Sequence, residues 1–168
     1  DLAPLIKEHF AADFIQRLPK AELHLHLEGS VPWDMIRDYA ETPLPETPEW
    51  WARDFRYDDF DHLSRVMPIQ RHVLNSLERY HEVAGRIFQT LVDQNVRYVE
   101  ISFGAEAMAR NQLTIADVAQ AIKQAAPESL TVAVIAGFNR LLHHQLGDKL
   151  VQEVFDAPID GIDLHGKE

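Results

Sequence analysis

"AELHLHLEGS", residues 21–30, is the stretch on which the fold turns. Read with the two-residue period of a strand, Leu23, Leu25 and Leu27 fall on one face, and Glu22, His24, His26 and Glu28 on the other. Inside a parallel barrel, alternate side chains point to the axis. Burying several ionisable groups there is costly unless they are paired or coordinated, and a divalent metal supplies that compensation. Two imidazoles two residues apart on one strand can converge on one Zn2+. An edge strand with one wet face would show the same alternation with no metal, so the His-x-His triplet alone leaves both readings open.

Working outward, residues 3–17 carry apolar positions at helical spacing and are stopped by Pro19. After the first strand, Ser30 reads as an N-cap with Pro32 in the first turn of a helix to about Glu41. "TPLPETPEWW", residues 42–51, is a proline-rich loop. Helices are expected over 58–74 and 77–94, the second with Tyr80, Val83, Ala84, Ile87, Phe88 and Leu91 in a 3-4 pattern. "VRYVEISF", 96–103, reads as strand two. Thr114 with Asp117 resembles a capping box opening a helix to about Ala126. "LTVAVIAGF", 130–138, reads as a strand buried on both faces; a helix over 146–156 and a fourth strand over 161–165 follow.

This alternation points to a parallel α/β fold, either an open doubly wound sheet or a (β/α)8 barrel. No glycine-rich phosphate loop follows strand one. Four strands in 168 residues amount to half of a barrel that typically takes about 250. The expectation is therefore one domain, residues 1–168, forming the N-terminal half of a TIM-type barrel. His24 and His26 lie late in the first strand, towards the C-terminal face where barrel enzymes keep their chemistry.

Composition narrows the chemistry. The formal net charge of −11 disfavours a nucleic-acid binder and a polybasic membrane anchor. There is no cysteine, so a metal would rest on His, Asp and Glu, with nine histidines available. No apolar run reaches the ~18 residues of a membrane span, and the first residues lack the regions of a signal peptide. A cytoplasmic protein is expected.

With these residues in view, "LPKAELHLHLEGSV" resembles the first-strand signature of the adenosine deaminase family, P-K-x-E-L-H-x-H-L-[DE]-G. "QNVRYVEISF" resembles its second strand and "IDGIDLHGKE" its fourth, often G-x-D-L-x-G-x-E. The three segments stand in family order across nearly the whole chain. The resemblance implies a (β/α)8 barrel with one catalytic zinc, His24 and His26 being the two first-strand ligands. It implies hydrolytic deamination of a 6-aminopurine (adenosine, adenine or a related compound) with release of ammonia, and a small-molecule purine as the partner. The remaining ligands, the general acid/base glutamate and a catalytic histidine belong to later strands, so no catalytic residue is expected within this chain.

For substrate contacts, the resemblance points to Gly166, whose N–H would approach the purine edge, and to Glu28. A turn glycine is an equally good reading of Gly166. The Glu28 position is usually Asp in nucleoside deaminases; Glu is frequent in members acting on adenine or larger aminopurine compounds. His165 stands where the family usually has a small or apolar residue and Lys167 where it often has an acid. His165 is a further candidate for substrate contact, against a structural or solvent-facing role at a strand end.

Glu100 and Ser102 share a face of strand two and are read as polar groups under the metal. Trp50 and Trp51 either cap the site mouth or anchor the loop. The alternatives to the deaminase are another amidohydrolase-type barrel hydrolase and an inert truncated barrel. Two ligands are fewer than the three that catalytic zinc usually takes from protein, and a sheet cut after strand four has open edges. Residues 1–168 alone are therefore expected neither to catalyse nor to hold zinc tightly, and to self-associate or pair with a C-terminal half.

Overall fold

Four strands and the helices between them follow the expected order in the computed structural model, which describes residues 11–40, 42–66, 72–105, 108, 111–140 and 147–166. Strands β1 (Lys20–His26), β2 (Val96–Gly104), β3 (Thr131–Asn139) and β4 (Gly161–His165) form one sheet in that order, every pair parallel. Helices α1 (Trp33–Asp38), α2 (Phe60–Val66) and α3 (Leu77–Asp93) lie between β1 and β2, α4 (Ile115–Gln124) between β2 and β3, and α5 (Gly147–Asp156) between β3 and β4. Each strand is followed in the sheet by its successor through a helical crossover, which is the wiring of a half-barrel.

Alternation in β2 separates two faces. Val99, Ile101 and Phe103 are fully buried against the helices, opposite Tyr80, Val83 and Phe88 of α3 and Val118 and Ile122 of α4, all likewise sealed from water. Each such aliphatic or aromatic side chain contributes roughly 1.5–3 kcal/mol of burial. Ser76 caps α3 by accepting from the Arg79 N–H at 3.3 Å, and Thr114 caps α4 by accepting from the Asp117 N–H at 3.0 Å. The other face of the sheet carries Glu100, Ser102 and Gly104 of β2, in register with Ala133, Ile135 and Gly137 of β3; the last two are in register with Gly161 and Asp163 of β4. This face is concave and holds the polar groups.

Several local expectations are corrected. Ser30 is not an N-cap: it lies in a 3-10 turn, Glu28–Ser30, with its Oγ donating to the His26 carbonyl at 2.8 Å, and α1 starts after Pro32. The serine spends its hydroxyl on the end of β1, so the rigid φ of Pro32 sets the helix start instead. The helix over 58–74 is described only as Phe60–Val66; residues 72–76 are non-helical. β3 is not buried on both faces: Val134, Ala136 and Gly137 are buried, but Ala133 and Ile135 on the concave side are half-buried. Of the first expected helix, residues 11–17 are helical and the rest lie outside the described residues. The outer strands are bare in places, with Leu23, Ile162 and Leu164 more than half exposed.

Asp160 fastens the entry to β4. Its Oδ2 accepts from the Val134 N–H at 2.8 Å and pairs with Lys123 Nζ at 2.8 Å, while its own N–H donates to the Val134 carbonyl at 2.7 Å. Burial pushes the carboxyl's pKa up, but the Lys123 ammonium and the Val134 N–H outweigh it and hold it below its ordinary 3.8. A depressed carboxyl adds stability above the unfolded value, which is lost as pH falls through the folded one. Asp160→Ala should cost about 1–3 kcal/mol at pH 7 by orphaning the Val134 N–H. In urea titrations the gap from wild type should narrow below pH 3.8. An equal gap at pH 7 and pH 3 would remove the ionic part of this account.

Candidate metal centre

β1 does not run as a plain strand. From Glu22, paired with Val99, to Leu25, paired with Ile101, β1 advances three residues while β2 advances two. The extra residue is a β-bulge. His24 takes it up at φ 61°, in the left-handed region that a non-glycine residue enters at a cost of order 1–3 kcal/mol. The uniform alternation expected for Glu22 through Glu28 is therefore broken. Glu22 is in register with helix-facing Val99, and Leu23 is 60 % exposed instead of packing beside Leu25 and Leu27. The expected phase holds from Leu25 onward: Leu25 opposite Ile101, His26 opposite Ser102, Leu27 fully buried.

The bulged histidine reaches the far edge of the sheet. In a flat sheet, three strand spacings would put β1 and β4 ~14 Å apart. Yet His24 Nε2 lies 3.2 Å from Asp163 Oδ2, so the sheet curls until side chains of its first and last strands meet over the concave face. Between them the imidazoles form a row, with ring centroids 5.0 Å apart for His24 and His26 and 4.5 Å for His26 and His165.

Asp163 Oδ1 accepts from the Leu164 N–H at 2.7 Å. Its Oδ2 is buried and has no aligned hydrogen-bond donor, although His24 Nε2 and His165 Nε2 stand 3.2 and 2.9 Å away. His165 Nε2 is instead aligned on Ser102 Oγ at 3.1 Å. To reach it, the imidazole crosses β3 over Gly137, where any Cβ would run into the ring.

His24, His26 and Asp163 each offer one donor atom, all within 4.8 Å of one another. Zinc bonds of ~2.0–2.1 Å in tetrahedral array put ligand atoms ~3.3 Å apart, close to the His24–Asp163 separation. Two imidazole nitrogens and a carboxylate oxygen are a donor set zinc accepts. Burial, then the neighbouring His165 and His24, hold His26 below its ordinary 6.5, against a smaller opposing pull from Asp163; the imidazole is thus kept in the neutral form a metal needs. The residues present fit a divalent metal.

The other candidates are spread around this centre. Glu28 Oε1 accepts from the Gly104 N–H at 2.7 Å, tying the end of β1 to the end of β2. Buried Tyr80 feels it: burial, then the Glu28 charge, push the phenol's pKa well up. Gly166 has φ 100°, a conformation that suits glycine, and a Cβ there would press on Asn139 Oδ1 at 3.1 Å. His165 is not solvent-facing; it is part of the concave cluster, its side chain 20 % exposed.

Glu100 accepts from the Tyr98 hydroxyl at 3.1 Å. Trp50 packs edge-on against Trp33 at 5.2 Å, beside a cleft of ≈ 240 Å³ that Trp51 also lines. His62 contacts Asp58 at 3.2 Å and His81 Nδ1 meets the Ala121 carbonyl at 3.1 Å, both away from the cluster. His9, His143, His144 and Lys167 lie outside the described residues. Asp163 and His165 stand two apart on β4 and so share a strand face, but their spacing alone carries no sign of their reach to β1 and β2. The signal for that reach was Gly137, an interior strand glycine that leaves space for a neighbouring ring.

The sequence model of the family described as Adenosine deaminase matches residues 19–168. This chain belongs to the adenosine deaminase family. An adenine deaminase of Psychrobacter cryohalolentis is 28 % identical over 167 residues, covering 93 % of this chain and 50 % of that protein. Among solved structures, adenine deaminase from Arthrobacter aurescens superposes with a TM-score of 0.73 at 23 % identity, covering 89 % of this chain and 49 % of the other. An amidohydrolase from Burkholderia ambifaria with bound Zn superposes with a TM-score of 0.68 at 20 % identity, covering 93 % of this chain and 46 % of that one. The chain thus spans about half the length of the relatives it matches, and its four-stranded sheet is the half-barrel of the family fold.

The Gly137–His165 contact separates this member's cluster from a plain strand pair. Gly137→Ala should expel the imidazole from its slot and break the Ser102–His165 hydrogen bond. The flexible ring can give way, so the cost should stay near the low end of the ~1–3 kcal/mol typical of overpacking. The His165 ring resonances should shift strongly while those of His62 and His81 stay in place. Unchanged His165 resonances in a folded Gly137→Ala variant would contradict the geometry.

Proposed function

We propose that the protein to which these strands belong is a zinc-dependent hydrolase that deaminates an adenine-type 6-aminopurine. Water replaces the exocyclic amine, giving the 6-oxopurine and ammonia. The observation that carries this reading is the convergence of His24, His26 and Asp163 at the C-terminal end of a family half-barrel. The names of the relatives, adenine deaminases among them, and the bound Zn of one structural neighbour support it. Glu28, in place of the aspartate usual in nucleoside deaminases, favours free adenine or a larger adenine compound over adenosine.

His24 and His26 would hold the metal, whose Lewis acidity makes water a competent nucleophile near neutral pH. The chain's own residues do the rest of what this half contributes. His26 is kept neutral by burial and its imidazole neighbours. Gly166, at the end of β4, offers a backbone N–H with no side chain to obstruct a planar base. Glu28 holds the mouth of β1 and β2 together through Gly104. Positioning the base is a large share of such catalysis. Proton transfer to the ring and to the departing amine falls to groups outside these residues.

The test is turnover of adenine, adenosine and a larger adenine compound by the zinc-loaded full-length protein, followed as loss of the aminopurine absorbance. Adenine should turn over fastest. His24→Ala and His26→Ala should each lower kcat/KM by more than ~100-fold, beyond what outer contacts of a metal site contribute. No turnover on any of the three compounds would overturn the assignment.

A further inference from the structure

The backbone of His165 stands at the end of β4, in register with Asn139 of β3. Its ring does not stay at that level. It lies over Gly137, two residues back along β3, so close that a Cβ there would come within about 2 Å of the imidazole. Nε2 reaches Ser102 Oγ at 3.1 Å, and Ser102 is in register with Ile135, two residues further back. Asp163 Oδ2 holds the same nitrogen at 2.9 Å, and the His26 ring centre is 4.5 Å away. One side chain from β4 thus folds back beneath the strand ends, crosses β3, ties to β2 and ends against a ring of β1. It forms a floor under the concave face. The side chain is 20 % exposed. The part pressed on Gly137 is closed, so the open part faces away from the sheet, towards the strand ends.

We propose that His165 is a specificity-determining residue that floors the base pocket and excludes 6-aminopurines carrying a substituent at C2. This rests on the deaminase reading above. In that reading the amine-bearing carbon, C6, faces His24 and His26, and the Gly166 N–H takes a ring nitrogen. His165 immediately precedes Gly166. Both nitrogens of the six-membered ring, N1 and N3, flank C2. A base bonded through either one presents C2 beside the His165 side chain. A hydrogen at C2 can rest against the imidazole. An amino group there meets a ring that cannot sink, because the β3 backbone at Gly137 lies behind it and Ser102 and Asp163 hold its nitrogen. One group too many in a filled pocket is worth ~10–200-fold in discrimination.

The test uses the full-length, zinc-loaded protein and reads a ratio within each preparation: kcat/KM for 2,6-diaminopurine over that for adenine. In the diamino compound water replaces the 6-amine to give guanine and ammonia. The active fraction and metal occupancy cancel from the ratio, so a merely structural role of His165 would not move it. Wild type should favour adenine at least ~10-fold. His165→Ala should raise the ratio at least ~10-fold. His165→Leu, which restores bulk without a hydrogen bond, should keep the wild-type preference. Binding is read separately with 2-aminopurine, which is fluorescent and has no 6-amine to lose. Its quenching should saturate at least ~10-fold lower in concentration for His165→Ala than for wild type.

Equal kcat/KM for the two purines in wild type would overturn the proposal, whatever the variants do. A ratio and a quenching curve unmoved in a folded His165→Ala protein would overturn it as well. Should His165→Ala not fold, His165→Ser is read in its place, and the wild-type result stands on its own. Failure of wild type to turn over either purine counts against the deaminase reading, and the quenching curves then decide whether His165 closes the pocket.

Discussion

Everything at the candidate centre depends on the curl that carries β4 round to β1. A flat sheet of four parallel strands would separate His24 from Asp163 by well over a side-chain length. Their 3.2 Å approach is therefore a measure of curvature. The curvature has a cause in the packing. The convex face is filled by Val99, Ile101 and Phe103 against α3 and α4, every one sealed from water. The concave face opposite them is, Ile135 apart, built largely from small residues and polar ones, with Gly104, Gly137 and Gly161 in the central strands and β4. Bulk outside and little inside let the strands close towards the polar face, as they do in a barrel.

The cluster is also a problem in compensating buried polarity. Ser102 is the one polar residue in the buried core of the described chain, and it is satisfied through His165. His165 in turn reaches it only because Gly137 lacks a side chain. Glu28 is satisfied through the end of β2. Ser102, His165 and Glu28 thus each depend on a neighbour from another strand, which is the behaviour of a network whose members are expensive to remove singly. The bulge at His24 adds backbone strain to that ledger. An imidazole placed at φ 61° and drawn across the sheet is a conformation that local propensity opposes, so tertiary structure must hold it there.

Much of this was legible in the sequence. The helix over 77–94 announced itself by its apolar stripe, and Thr114 by its capping partner, because both signals are local and periodic. The parallel order followed from alternation of strand and helix. His24 and His26 were legible as a pair because their spacing is a strand spacing. The bulge was not, since a one-residue slip leaves no mark on "ELHLH" and changes only which neighbour each residue meets. Ser30 misled because a hydroxyl before a helix suits a cap, yet here it closes onto the His26 carbonyl. Nor did the pattern reveal the reach of His165, which depends on a glycine in another strand and on the curl of the whole sheet.

The location of the centre has a further consequence for how it works. Its residues belong to β1 and β4, the two edges of the sheet, whereas the buried apolar mass lies under β2 and β3. The half-barrel therefore places its candidate donors where side chains of β1 and β4 converge over the polar face. Any ligand that engages His24 and Asp163 together binds only the curled sheet, so its binding stabilises that curvature. Site and curvature are then one equilibrium: what tightens the first must steepen the second, and a substitution that flattens the sheet weakens the site without touching a ligand.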